Sequence, residues 1–345
     1  MSRFTRYATT SQTLSLVAME EASRRGLREA DLEDLFLALV LNDQSAGQVL
    51  RELGITIQVA RTAVEEQQRE QIRSLGITVD LPPSGDIVLH ETAGYTWSKR
   101  SRDLIGRAGQ RRRTADAAAV LRELVTEPSG LITDLLQRLG TTPAAVLTEL
   151  DRTPATSSTG EKGRAPRRSK LTGTSESFIP APVEDVWALL ADPSRVPDWE
   201  PAIGAVESST TPEPGAERTI TEVRTGSTQV VGVWVAHAQT THPDGKPLKV
   251  KDRFRRRKLE LLRADPTHIS WRFTYPDTDQ GLPMITSFDL TPTTGGTHLT
   301  THMTWSKHPG WRSLLSPLLQ PIQRFLIWIR LSQINASISR TFRQN

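Results

Sequence analysis

The stretch Leu248–Lys258, LKVKDRFRRRK, holds the densest run of groups that could do chemistry. Read as a strand, Leu248, Val250 and Phe254 set one face, which turns Asp252 and Arg256 inward and Lys249, Lys251, Arg253, Arg255 and Arg257 to water. An inward Asp252–Arg256 pair could fix the polar head of a ligand. It could equally be a structural pair, and a bulge could shift the register. His298 and His302 are four apart, but a strand separates them by about 13 Å, which argues against a shared metal. No Ser-His-Asp order, HExxH or GxxxxGK[ST] occurs, so no catalytic residue, metal ligand or phosphate-cradling loop is expected. No cofactor is implied either.

Composition narrows the classes further. The 345 residues are 37% hydrophobic and 24% charged, a soluble globular balance with length for two domains. Cysteine is absent, which excludes disulfides and thiolate metal sites. The net charge of +4 divides unevenly: −3 over residues 1–151, +5 over 152–170 and +2 over 171–345. The excess sits in a Ser/Thr/Gly/Pro-rich stretch and on neither flanking half, so specific nucleic-acid binding is not expected. MSRFTRYATTSQ has no apolar core of a secretory signal, and Leu314–Leu331 is broken by Pro317, Pro321, Arg324 and Arg330. The expected location is cytoplasmic.

Helical periodicity organises residues 1–151. Leu14, Val17, Ala18 and Ala22 mark one face, and Asp31 is placed to cap a helix through Leu32, Leu35, Phe36, Leu39 and Val40. A third helix ends at Gly54, and a fourth runs from Ile57 to Arg73. The pattern returns after Tyr95. LRELG at Leu50–Gly54 lines up with LQRLG at Leu136–Gly140, and Thr142-Pro143 starts the last helix. A duplicated four-helix unit follows.

Residues 152–171, TPATSSTGEKGRAPRRSK at their core, read as a flexible basic linker. Beyond it, strands are expected at Ala205–Ser209, Glu217–Arg224, Thr228–Gln239, Leu248–Leu262, His268–Tyr275, Ile285–Thr291 and His298–Trp305. Ile269, Trp271, Phe273 and Tyr275 share one face, as do Leu299, Thr301, Met303 and Trp305. A long helix from about Pro309 to Phe342 carries Trp311, Leu314, Leu315, Leu318, Ile322, Phe325, Leu326, Ile329 and Ile338 on its apolar side. Its competing role is an interfacial membrane helix anchored by Trp311 and Trp328.

FIPAPVEDVWALLADPSRVPDWEP at Phe178–Pro201 and ITSFDLTPTTGGTHLTTHMT at Ile285–Thr304 resemble the START-like, or SRPBCC, superfamily of polyketide cyclases and lipid-transfer domains. The resemblance implies an α+β helix-grip fold over 172–345, its antiparallel sheet wrapped on the long helix. Trp271, Phe273, Tyr275, Phe288, Met303, Trp305, Phe325, Asp252 and Arg256 would line its cavity. A hydrophobic small molecule, lipid or polyketide-like, is the ligand so implied.

The duplication, RFT at Arg3–Thr5 and AxxEA at Ala18–Ala22 resemble the double Clp-N domain, an all-α pseudo-twofold module that receives peptides and adaptors. Thr5, Glu33 and Thr96 match its peptide-binding positions, while Ala118 and Ala119 replace the Glu–His pair in the second repeat. Together the resemblances imply a non-catalytic adaptor or sensor, with an aromatase/cyclase-type enzyme as the alternative.

Overall fold

The computed structural model describes residues 3–76, 84–88, 94–111, 116–153, 170–207, 231–242, 245–278, 281–306 and 316–344. Two compact units emerge: Met1–Thr159 with Thr293–Gly296 and Phe342–Asn345, and Gly160–Pro292 with Thr297–Thr341.

The first unit is helical. It runs α1 (Arg3–Arg24), β1 (Glu29–Ala30), α2 (Leu32–Val40), α3 (Ser45–Glu52), α4 (Ile57–Ser74), β2 (Thr96–Trp97), α5 (Lys99–Arg111), α6 (Ala117–Val125), α7 (Leu131–Arg138) and α8 (Pro143–Arg152). Helices α6, α7 and α8 start 85 or 86 residues after α2, α3 and α4. Their stops match as well. Gly54 and Gly140 both take positive φ, 80° and 74°, where a side chain would be strained. Ile55 and Thr141 each return a backbone N–H to the carbonyl five residues back, Leu50 and Leu136. Thr56 and Thr142 then cap the next helix through Val59 N–H and Ala145 N–H. Asp31 and Asp116 cap α2 and α6.

The first repeat differs from the second in its interior. Glu21 on α1 takes a bidentate pair from Arg61 on α4, with both contacts at 2.8 Å. Arg343, which counts with this unit, is buried against Glu20 and Glu21. Burial alone would push the Glu21 carboxyl up, yet Arg61 holds it below its ordinary value. Asp34 completes a capping box with Asp31 and pairs with Arg25. Burial outweighs that pairing and raises Asp34 to about 6.

The second unit is a seven-stranded sheet ordered β3-β9-β8-β7-β6-β5-β4. Its elements are β3 (Lys170–Ile179), α9 (Val183–Ala191), α10 (Val196–Trp199), β4 (Ile203–Val206), β5 (Gly232–Ala238), β6 (Arg256–Asp265), β7 (His268–Thr274), β8 (Met284–Thr293), β9 (Gly296–Ser306) and α11 (Ser316–Thr341). This antiparallel sheet with a long helix fits a helix-grip fold. Ile327, Leu331, Ile334 and Ile338 are the buried stripe of α11. At Gly173 on β3, a Cβ would stand 2.3 Å from Ile327 Cγ2, so only glycine lets the helix seat there. Asn335 locks the seat, accepting from Thr301 Oγ1 at 2.7 Å and donating to Ser175 Oγ at 3.2 Å.

Three sequence expectations change here. Residues 252–254 of the expected Leu248–Leu262 strand form a 3-10 turn, and the strand itself begins at Arg256. On α11, Phe325 and Leu326 are exposed, because the buried stripe is set by Ile327 and its successors. Arg152 closes α8 and Lys170 opens β3, both inside the span expected to be linker. The rest of that linker, the expected Glu217–Arg224 strand and residues 307–315 lie outside the described residues.

Candidate functional site

The concave face of the sheet is built by strand alternation. Register pairs Trp234 with Leu259, Leu259 with Phe273, and Leu261 with Trp271, so odd-numbered residues of β6 and β7 face inward there. Trp199 reaches into this face from α10, a single turn fixed by Pro197. It is fully buried, its ring 5.2 Å from Phe288, 6.3 Å from Phe273 and 6.4 Å from Trp271. Trp234 adds a contact of 5.7 Å to Trp271.

Of the expected cavity residues, Trp271, Phe273, Phe288 and Met303 are buried on this face, while Tyr275 and Trp305 are half-buried. Phe325 is not among them. It is exposed and stacks on Trp328.

Asp252 and Arg256 are also misplaced by the sequence reading. The Asp252 side chain is 91% exposed and bonds its neighbour Arg255 at 3.2 Å. Arg256 points outward toward Asp277 at 3.5 Å. The cause is the turn at Asp252–Phe254, which carries no strand alternation and so breaks the parity counted from Leu248. Counted back from Leu261 and Leu259, the inward arginine is Arg257, opposite Ala236. That backward count was the available signal.

Arg257 sits beside Tyr275 at one end of this face. Its guanidinium lies 5.4 Å from the Tyr275 ring centroid, a cation–π distance. Its Nε is buried without a hydrogen-bond partner, and burial lowers its pKa. Glu200, the residue after Trp199, is fully buried. Its Oε1 accepts from Ala202 N–H at 3.2 Å and from Arg330 on α11. Its Oε2 has no partner, nor do Trp199 Nε1 and Thr286 Oγ1. A buried polar atom left unmade costs about 1–3 kcal/mol, so this cluster is chemically unfinished. Trp199, Glu200, Arg257 and Arg330 are the residues that sequence reasoning missed.

The outer face carries a different set. Asp289 bridges His268 Nδ1 at 2.5 Å and His302 Nε2 at 3.1 Å, and His302 Nδ1 meets Thr174 Oγ1 at 3.0 Å. No group of three metal-ligating side chains with suitable placement occurs among the described residues.

In the helical unit, Thr5 belongs to α1 and its side chain lies outside the described residues. Glu33 is buried, which pushes its carboxyl up, and Arg100 stands 3.6 Å away. Thr96 is exposed and sits opposite Glu29 in the two-stranded pairing. No helix among the described residues is long and apolar enough to cross a membrane.

Residues 170–325 match the family model described as polyketide cyclase / dehydrase and lipid transport, so this stretch is an SRPBCC-like domain. Similar solved structures include protein CV1439 from Chromobacterium violaceum, 18% identical over 49% of this chain and 96% of that one, with a TM-score of 0.27. Ms6760 from Mycobacterium smegmatis is 19% identical over 51% of this chain and 92% of its own, at 0.30. The di-domain ARO/CYC StfQ of the steffimycin biosynthetic pathway is 16% identical, covering 62% of this chain and 60% of its own, at 0.32. No curated protein matches the chain.

Proposed function

We propose that the protein is a cytoplasmic two-domain adaptor or sensor whose SRPBCC-like domain holds a hydrophobic small molecule. The observation that carries this reading is the unfinished cluster of Trp199 Nε1, Glu200 Oε2 and Arg257 Nε against an aromatic shell. An apolar molecule with a polar end would complete it. The match to a cyclase and lipid-transport family supports the same ligand class.

The helical half, residues 1–151, is proposed as a Clp-N-like module that binds a peptide or protein partner, tethered through 152–171 to the ligand domain at 172–345. Its support is the repeated four-helix unit with matching caps. Glu33 is the buried acid at one resemblance position, and Thr5 and Thr96 are the others.

Native mass spectrometry of the purified chain, beside its denatured mass, tests the ligand reading. Extra mass lost on denaturation supports it. A clean mass together with no binding from a panel of hydrophobic probes sinks it. A second reading, an aromatase/cyclase-type enzyme, is comparably supported by the family match. Arg257 and Tyr275 would orient a carbonyl there. Product from a poly-β-ketone analogue, abolished by Arg257→Ala, would favour it over the carrier.

A further inference from the structure

The balance of +2 over residues 171–345 hides two local excesses of positive charge. Residues 246–258 hold eight Lys/Arg and one Asp, and residues 290–345 hold six Lys/Arg and neither Asp nor Glu. Acids offset part of the first group: Arg255 meets Asp252, Arg256 meets Asp277 and Lys258 meets Glu260. Lys249, Lys251 and Arg253 are exposed, and among the described residues no carboxylate lies within ion-pair distance of them. Rings tie this basic loop to the end of β7. Arg253 lies over the Phe254 ring at 5.1 Å, and Phe254 meets Tyr275 edge-on at 5.3 Å.

The same end of the sheet presents apolar side chains. His237 of β5 pairs with Arg256 and Lys258 with Thr274, so the basic loop stands where β5 and β7 end and β6 begins. Phe273 pairs with Met284, which brings the start of β8 there. Its hairpin neighbour β9 ends there too, at Ser306 opposite Lys170 of β3. Ile327 of α11 seats at Gly173 and Asn335 at Ser175, so the helix start points toward Lys170 and this end. Phe325 and Leu326 are exposed on that part of α11, with Phe325 stacked on Trp328 at 5.8 Å. In the basic loop, Leu248 is exposed beside Lys249.

We infer that this end of the sheet docks on an anionic lipid surface, its cations meeting the headgroups while Phe325, Leu326 and Leu248 enter the interface. Each Lys or Arg near such a surface is attracted by the leaflet's negative potential. Exposed apolar groups among the cations add area to bury, which only a surface with an apolar layer beneath its charge can take. A nucleic acid would satisfy the cations and leave those groups bare. Helix α11 does not lie flat in the interface, because its stripe of Ile327, Leu331, Ile334 and Ile338 is already buried. Contact is made by its start alone. The inference does not rest on the ligand reading above.

Vesicle flotation of the full chain tests it, with phosphatidylcholine vesicles set against mixed phosphatidylcholine/phosphatidylserine vesicles at one salt concentration. The mixed vesicles should bind at least about tenfold more tightly, and added salt should shrink that ratio. A variant carrying Lys249→Gln, Lys251→Gln and Arg253→Gln should lose most of the preference. A second variant, Phe325→Gln with Leu326→Gln, should bind mixed vesicles at least about fivefold more weakly and still prefer them. All five residues are exposed, so both variants should melt near the wild type. The two vesicle types and the salt series need only the wild-type chain. Equal binding to both vesicle types, or binding to neither, overturns the inference. So does charge-dependent binding that the Phe325/Leu326 variant leaves unchanged. Duplex DNA bound more tightly than mixed vesicles at equal salt also overturns it, since that marks a polyanion surface and not a lipid one.

Discussion

The two four-helix repeats share a backbone and divide the chemistry. Gly54 and Gly140 end α3 and α7 in the same left-handed conformation, and Thr56 and Thr142 cap the next helices alike. The side chains inside diverge. The first repeat buries Glu20, Glu21, Glu33, Asp34, Arg51 and Arg61. At matching places in the second, Ala118 and Ala119 stand for Glu33 and Asp34, and exposed Arg107 stands for Glu21. Duplication preserved the instructions for starting and stopping helices, which are local. It did not preserve buried charge, which needs partners from several helices at once.

Three experiments would break or sharpen this contrast. The largest effect is expected at Glu21→Ala, which strands the guanidinium of Arg61 in the interior. Denaturant unfolding should show a loss of about 3–5 kcal/mol. Arg107→Ala, at the matching exposed position, should stay within about 0.5 kcal/mol. Equal losses would end the claim that only the first repeat is held by charge.

A smaller effect should follow pH. Asp34 rises from an ordinary 3.8 to about 6 on folding. The folded state therefore holds more protons between those values, and stability gained from Asp34 grows as pH falls through that window. Relative to Asp34→Asn, the wild type should gain on the order of 2 kcal/mol between about pH 7 and 4.5. A difference that does not move with pH would count against the burial argument. Ala119 gives the second repeat no such slope.

The smallest effect should be symmetrical. Thr56→Ala and Thr142→Ala should each cost about 1 kcal/mol, since each removes one cap. Unequal losses would mean that the repeats differ in their local chemistry too.

Legibility in the sequence followed range. Glycine stops, threonine caps and the 85- to 86-residue repeat were readable because each depends on a few neighbouring residues. Strand faces were readable where alternation ran unbroken, as at Ile269, Trp271 and Phe273 of β7. Asp252 and Arg256 were misread because one short turn reset the parity that Leu248 and Val250 suggested. Phe325 was misread because Leu326, Ile327, Trp328 and Ile329 offer apolar residues on every side, and only the packing of α11 on distant elements, β3 foremost, decides which are buried. The Glu200–Arg330 pair joins residues 130 positions apart, and nothing local announces it.

Gly173 fixes an order of assembly as well as a seat. It lies on β3, the first strand of its sheet, yet its partners are β9 and Ile327 of α11. During translation, β3 must leave the ribosome and wait with one edge and one face bare until nearly all the rest of its domain has been made. The helical repeats can close much of their core as they emerge, because their contacts are mostly short in sequence, and only the seat of Arg343 on Glu20 and Glu21 must wait for the end of the chain. The interval between those two events is when the nascent sheet is open to mispairing or to capture by chaperones.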